Sequence, residues 1–179
     1  MNTNIIAQII NGIGSTFSMI GINLKNKRTV LLFFIIGNTC VATALGLLGA
    51  KSGMILQIIF VIETIINFFW EKNHDKYPPW LILIYLVLPV IILLLNFKTP
   101  WDILVIIASI VFPLALLSKD LKLRLLNLLS ILLWIPYNIR FNAIVGAIAC
   151  TIFAIMNIIA IIRLDVRGKY VKEQESNNI

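Results

Sequence analysis

The chain has 179 residues, 60% of them hydrophobic and 13% charged, with a mean hydropathy of +0.97 and a formal net charge of +7. Such a composition excludes an ordinary soluble domain. The positive charge is divided among gaps between apolar runs instead of forming one patch, which argues against nucleic-acid binding.

Seven apolar runs approach the ~17–25 residues that span a bilayer: 5–23, 29–48, 53–70, 80–97, 101–117, 125–141 and 143–163. The first has no basic region before it and is followed by Lys25, Lys27 and Arg28. It is therefore expected to be a span that stays on the mature protein, not a signal peptide. At ~100° per residue its Gln8, Asn11, Ser15 and Ser18 share one face. The second run gathers Asn38, Thr39, Ala42, Thr43 and Gly46 on under half of its surface, and the third does so with Gly53, Gln57, Glu63, Thr64 and Asn67. The fourth carries Trp80, Tyr85 and Pro89 but no strongly polar residue. In the fifth, Pro113 removes a backbone hydrogen bond near the end of the run and is the candidate hinge. The sixth has the tightest stripe, Asn127, Ser130, Trp134, Tyr137, Asn138 and Phe141, with Pro136 opposite. The seventh aligns Gly146, Cys150, Ala154 and Asn157.

Twelve of the fifteen Lys and Arg fall in alternate gaps: Lys25, Lys27 and Arg28, then Lys72 and Lys76, then Lys119, Lys122 and Arg124, then Arg163, Arg167, Lys169 and Lys172. Only Lys51, Lys98 and Arg140 fall in the others. By the positive-inside rule the N-terminus is expected outside and the C-terminus inside, which requires an odd number of spans.

An internal repeat is also expected. Sliding the chain by 96 positions lays the basic turn Lys25–Arg28 on Leu121–Arg124, and sliding it by 93 lays Gly53 on Gly146 and Gln57 on Cys150. The expected organisation is a three-helix repeat at 1–72, a loop and inversion helix at 73–98, a second repeat at 99–164 and a polar tail at 165–179. The fold class is thus an all-α integral membrane protein of seven transmembrane helices in a 3+1+3 order, its repeats parallel and related by an axis along the membrane normal. Solute sites in such proteins lie near mid-membrane between the repeats.

Polar and small faces on membrane helices commonly serve close packing, and that reading suits Ser15, Ser18, Thr39, Thr43 and the glycines. Trp134 with Asn138 suits stacking on and hydrogen bonding to a polar ring, the other reading of Trp134 being an interfacial belt residue. Glu63 is the acid deep inside a run, a functional candidate by default as a proton or cation site, or else a hydrogen-bond donor within the helix packing. Cys40 and Cys150 lie in apolar runs, so no disulfide framework is implied. His74 has no Cys or His beside it, and no metal site, cofactor or enzyme activity is expected.

Several segments carry a family resemblance: Leu24-Lys25-Asn26-Lys27-Arg28, Gly46-Leu47-Leu48-Gly49-Ala50 leading to Gly53, and Trp101-Asp102-Ile103-Leu104 before Ala108-Ser109. Asn127 ahead of Leu133-Trp134-Ile135-Pro136-Tyr137-Asn138 and the closing Ala160-Ile161-Ile162-Arg163 continue it. Over almost its full length the chain resembles the YgjV-type bacterial inner-membrane proteins. Those in turn look like distant relatives of the PQ-loop, SWEET and SemiSWEET sugar-transporter group. Trp134-Ile135-Pro136-Tyr137 is similar to that group's Trp-x-x-Tyr signature, and its pocket asparagine would fall near Gln57 and Cys150. Pro113 would correspond to the proline of its Pro-Gln pair. The chain departs from the pattern at Leu114, at Phe17 and Ser18, at Asn38 where a second tryptophan is implied, and at Cys150.

The expected function is transport of a small polar solute, sugar- or vitamin-like, across the plasma (bacterial inner) membrane by rocking of two three-helix bundles. The substrate-binding candidates are Asn38, Gln57, Glu63, Asn67, Trp134, Asn138 and Asn157. The expected partners are the lipid bilayer and the solute, with no nucleic acid and with a homo-oligomer left open. The alternative is a non-transporting membrane subunit or assembly factor whose polar residues serve helix packing.

Overall fold

Over residues 3–73 and 78–166, which the computed structural model describes apart from the side chains of 72, 73 and 166, the regular secondary structure is all helical, joined by short turns. The helices are α1 (Thr3–Ile22), α2 (Lys27–Leu47), α3 (Lys51–Asn73), α4 (Pro79–Leu95), α5 (Asp102–Leu116), α6 (Asp120–Arg140) and α7 (Ile144–Ala160). A π-helical turn, Ile161–Val166, continues α7. The side chain of Lys72, the loop residues His74 and Lys76, and the tail bases Arg167, Lys169 and Lys172 lie outside the described parts.

The helix limits follow from local chemistry. Asn26 caps α2 by accepting from the N–H groups of Arg28 and Thr29. Pro79 opens α4, where the missing N–H costs nothing. Gly49, at φ 76°, supplies the left-handed residue that turns α2 into α3. One Asp102 carboxylate oxygen accepts from the backbone of Lys98 and Thr99 and from the Thr99 hydroxyl, tying the preceding loop to the start of α5.

Seven apolar runs thus become seven helices, with two adjustments. Helix α6 begins at Asp120 instead of near 125, because the charged turn is itself helical and its Arg124 is buried against Asp165 at 3.1 Å. Helix α5 has 15 residues, about 22 Å at 1.5 Å each, short of a ~30 Å hydrocarbon core. By length and apolarity alone, α1, α2, Lys51–Glu71 of α3 and Ile144–Asp165 suffice to cross a membrane. Helices α4 and α5 are apolar but shorter, and α6 carries Asp120, Lys122, Arg124 and Arg140.

The distribution of polarity reverses that of a soluble protein. Ile5, Ile9, Leu83, Leu95, Ile148 and Ile155 face outward, whereas Asn11, Gln57, Glu63, Asn67, Asn127, Asn138 and Asn157 are buried. An exterior of continuous aliphatic surface around a polar interior is what a lipid environment selects.

Helix α2 lies between α1 and α3, and α6 between α5 and α7; α1 meets α7 and α3 meets α5, closing six helices into a ring with α4 outside it against α5 and α3. Contacts fix the directions. At one end Gln8 of α1 donates to the Asn142 carbonyl and accepts from the Val145 N–H of α7, while the Tyr137 hydroxyl of α6 accepts from the Gly53 N–H of α3 at 2.9 Å. At the other, Glu71 of α3 pairs with Lys27 at 3.0 Å and with Lys119 at 3.2 Å. There Arg124 also donates to the Leu24 carbonyl and Arg163 to that of Asn23. Neighbours along the chain therefore run antiparallel. Lys25, Lys27, Arg28, Lys119, Lys122, Arg124 and Arg163 collect at one end, and Lys51, Lys98 and Arg140 at the other. The charge segregation read along the chain holds in space for these residues.

A polar cavity at the centre of the helix ring

Five amide side chains from four helices converge inside the ring: Asn11 of α1, Asn38 of α2, Gln57 of α3, and Asn127 and Asn138 of α6. They line a cavity of about 70 Å³ together with Ser15, Ser18, Ser130, Cys150 and the rings of Phe60, Phe112, Trp134 and Phe153. Each amide reaches the cavity because it lies on the inward stripe of its helix. The space is kept open by small residues: a Cβ at Gly146 would stand 2.6 Å from Asn11 Nδ2 and 3.1 Å from Asn138 Oδ1.

The amides are poorly satisfied. Asn11 Nδ2, Asn38 Nδ2, Gln57 Oε1, Asn127 Nδ2 and Asn138 Oδ1 are buried with no hydrogen-bond partner in the protein. What bonding there is stays weak: Ser15 donates to Asn11 Oδ1 at 3.5 Å, and Asn138 Nδ2 points at Cys150 Sγ at 3.6 Å. A buried polar group left unpaired costs about 1–3 kcal/mol, so five around one space call for something polar to enter it. Both donors and acceptors are present, because a terminal amide carries each. No charged side chain lines the cavity, which suits a neutral occupant over an ion.

Trp134 is buried at the cavity wall and meets Tyr137 edge-on, with ring centroids 5.4 Å apart. It is not an exposed belt residue. Phe60 and Phe112 pack at 4.1 Å on another wall. Pro113 follows Phe112 directly inside α5 and deprives the Ser109 carbonyl of its usual partner.

Of the seven binding candidates, Asn38, Gln57, Trp134 and Asn138 are brought together here. Glu63, Asn67 and Asn157 are buried elsewhere. Asn157 donates to the Arg124 carbonyl at 3.0 Å across the α6–α7 contact. Asn67 Nδ2 donates to the Glu63 carbonyl, which also accepts from the Tyr85 hydroxyl at 3.3 Å. Asn11 and Asn127 line the cavity although neither is among the binding candidates, and Cys150 lines it at the position where the resemblance places a pocket asparagine. Their place on the inward stripes was the available signal, shared with residues that only pack. A larger concavity of about 710 Å³ along the outer face of α1 is lined mainly by Ile5, Ile9, Ile13, Ile20 and Phe17, the surface a membrane helix offers to lipid.

No group of three or more His, Cys, Asp or Glu that could hold a metal ion occurs among the described residues. No curated protein and no solved structure matches the chain. A family model described as a bacterial inner membrane protein, Imp-YgjV, matches residues 5–168. With its aliphatic exterior, buried amides and sorted basic residues, the chain belongs to the Imp-YgjV family of bacterial inner membrane proteins.

Proposed function

We propose that the protein carries a small, neutral, polar solute across the inner membrane, with the central cavity as the solute site and two parallel three-helix halves rocking about it. The observation that carries this reading is the ring of five amides, each with one buried atom that has no partner in the protein. A packing role for polar residues in membranes ends in interhelical hydrogen bonds, and these five atoms make none.

Internal symmetry supports the two halves. Helices α2 and α6 stand 93 positions apart at both ends (27 to 120, 47 to 140), as do α3 and α7 with its π turn (51 to 144, 73 to 166). At that offset Asn38 falls on Ile131, Val41 on Trp134, Gln57 on Cys150 and Phe60 on Phe153, and all eight line the cavity. Exchanging the halves also turns the α1–α7 contact into the α5–α3 contact. The basic turns align at 96 only because Lys25–Arg28 straddle a loop whereas Lys122 and Arg124 lie within α6. On this reading the basic end is cytoplasmic and the N-terminus outside.

Each end is tied across the halves by a few polar contacts, Tyr137 to Gly53 and Gln8 to the start of α7 on one side, Glu71 to Lys119 and Arg124 to Leu24 on the other. Breaking one set at a time gives alternating access. A cavity of about 70 Å³ holds a few waters at ~10–15 Å³ each, so a sugar-sized solute needs the halves to part.

The test is a thermal-shift screen of purified protein against neutral monosaccharides, nucleosides and amides, since a ligand of the native state raises apparent stability by mass action. A hit lost in Gln57→Leu and Trp134→Ala supports the proposal. Absence of any shift across the panel from well-folded protein favours the alternative, a non-transporting subunit.

A further inference from the structure

We infer that Glu63 and Asn67 form a monovalent-cation site where α3 crosses α4, separate from the amide-lined cavity and independent of what that cavity carries. The two residues are one helical turn apart on the same face of α3. Glu63 is 3% exposed and Asn67 0%. Both carboxylate oxygens of Glu63 and the Oδ1 of Asn67 are buried without a hydrogen-bond partner in the protein. The donors nearby are already used: Asn67 Nδ2 and the Tyr85 hydroxyl both donate to the Glu63 backbone carbonyl, and the Thr64 hydroxyl donates to the Phe60 carbonyl.

Helix α4 adds the Tyr85 hydroxyl, whose proton is committed to the Glu63 backbone carbonyl. Its buried stripe includes Leu81, Tyr85 and Pro89. The crossing thus offers the two carboxylate oxygens of Glu63, the amide oxygen of Asn67 and the hydroxyl oxygen of Tyr85, and among the described residues no cation pairs with them. The described ion pairs join Glu71 to Lys27 and Lys119, and Arg124 to Asp165. Tyr85 is the titratable group facing Glu63 from α4. On α2, Lys27 and Arg28 lie at the basic end, and Asp102 of α5 lies at the opposite end. A bare carboxylate at this depth is costly, and a hard, oxygen-only environment is satisfied by H⁺ or Na⁺.

The experiment follows apparent Tm of the full-length protein in nanodiscs, at about pH 6 and about pH 9, with sodium exchanged for choline at constant ionic strength. Wild type at the higher pH in choline should melt about 5 °C or more below its cation-loaded form. Recovery with sodium identifies Na⁺; recovery only on acidification identifies H⁺. Either response must disappear in Glu63→Gln. A wild type indifferent to both, or a Glu63→Gln protein responding like wild type, overturns the inference. Should Glu63→Gln fail to accumulate, Asn67→Leu keeps the carboxyl and removes one oxygen. Its half-saturating cation concentration should rise about tenfold, and an unchanged value counts against the site.

Discussion

Replacing Gln57 and Asn157 separately by leucine should change stability by different amounts, although both are buried amides on membrane helices. Asn157 is fully buried, and its Nδ2 donates to the Arg124 carbonyl across the α6–α7 contact. Interhelical bonds of this kind average about 0.6 kcal/mol and reach about 1.7. At ~2–4 °C per kcal/mol for a chain of this size, loss of this bond should place the apparent Tm of Asn157→Leu about 1–7 °C below that of Gln57→Leu. Gln57 is equally inward and, like Asn157, carries a buried amide oxygen without a partner, but its side chain makes no bond to another helix. Leucine there removes a group whose unmet burial costs about 1–3 kcal/mol, so Gln57→Leu should leave the apparent Tm unchanged or raise it. Heating detergent extracts and following the monodisperse peak by size-exclusion chromatography measures both. A fall for Gln57→Leu as large as that for Asn157→Leu would refute the reasoning, since Gln57 would then be a packing residue.

Three other outcomes follow from the same geometry. Arg124→Leu should cost about 3–5 kcal/mol by stranding the buried Asp165 carboxylate, and Arg124→Leu with Asp165→Leu should recover most of it; thermal melts of the three proteins decide. Tyr137→Phe removes the acceptor for the Gly53 N–H at the start of α3 and should cost about 1 kcal/mol, read as a lower apparent Tm. Gly14→Val should prevent accumulation of folded protein, because a Cβ there already stands 2.7 Å from the Gly37 carbonyl oxygen and from Cys40 Cβ, leaving α1 and α2 no room to close; fluorescence-detected size exclusion of the expressed variant checks it.

The helices were legible because bilayer thickness sets the length of an apolar run, and the sorting of Lys and Arg was legible because charge at the ends of spans is arranged by side. The stripes on α1, α3 and α6 were equally readable, since 100° per residue fixes which side chains share a face. Neighbours were not readable. Gln57 and Glu63 are both inward residues of α3, but six residues at ~100° turn them about 120° apart, so one meets the cavity and the other α4. Asn157 and Asn138 looked alike in sequence; the presence of the Arg124 carbonyl beside Asn157 separates them. Asn11 and Asn127 stand on polar stripes without a role assigned to them, because a stripe does not reveal whether an acceptor stands opposite. The two alignment offsets, 96 and 93, reflect matching charges in one case and helices in the other.

The most direct measurement uses Cys150, which lines the cavity. In a Cys40→Ser protein it is the remaining cysteine, and a membrane-impermeant thiol reagent can be offered from either face in right-side-out and inverted vesicles. Alternating access predicts modification of Cys150 from both faces, slowed by whichever solute raises the apparent Tm. A folded protein in which Cys150 stays unmodified from both faces, leaving the amides in a sealed core, or reacts from one face only, leaving them in a pocket open to one side, would contradict the account.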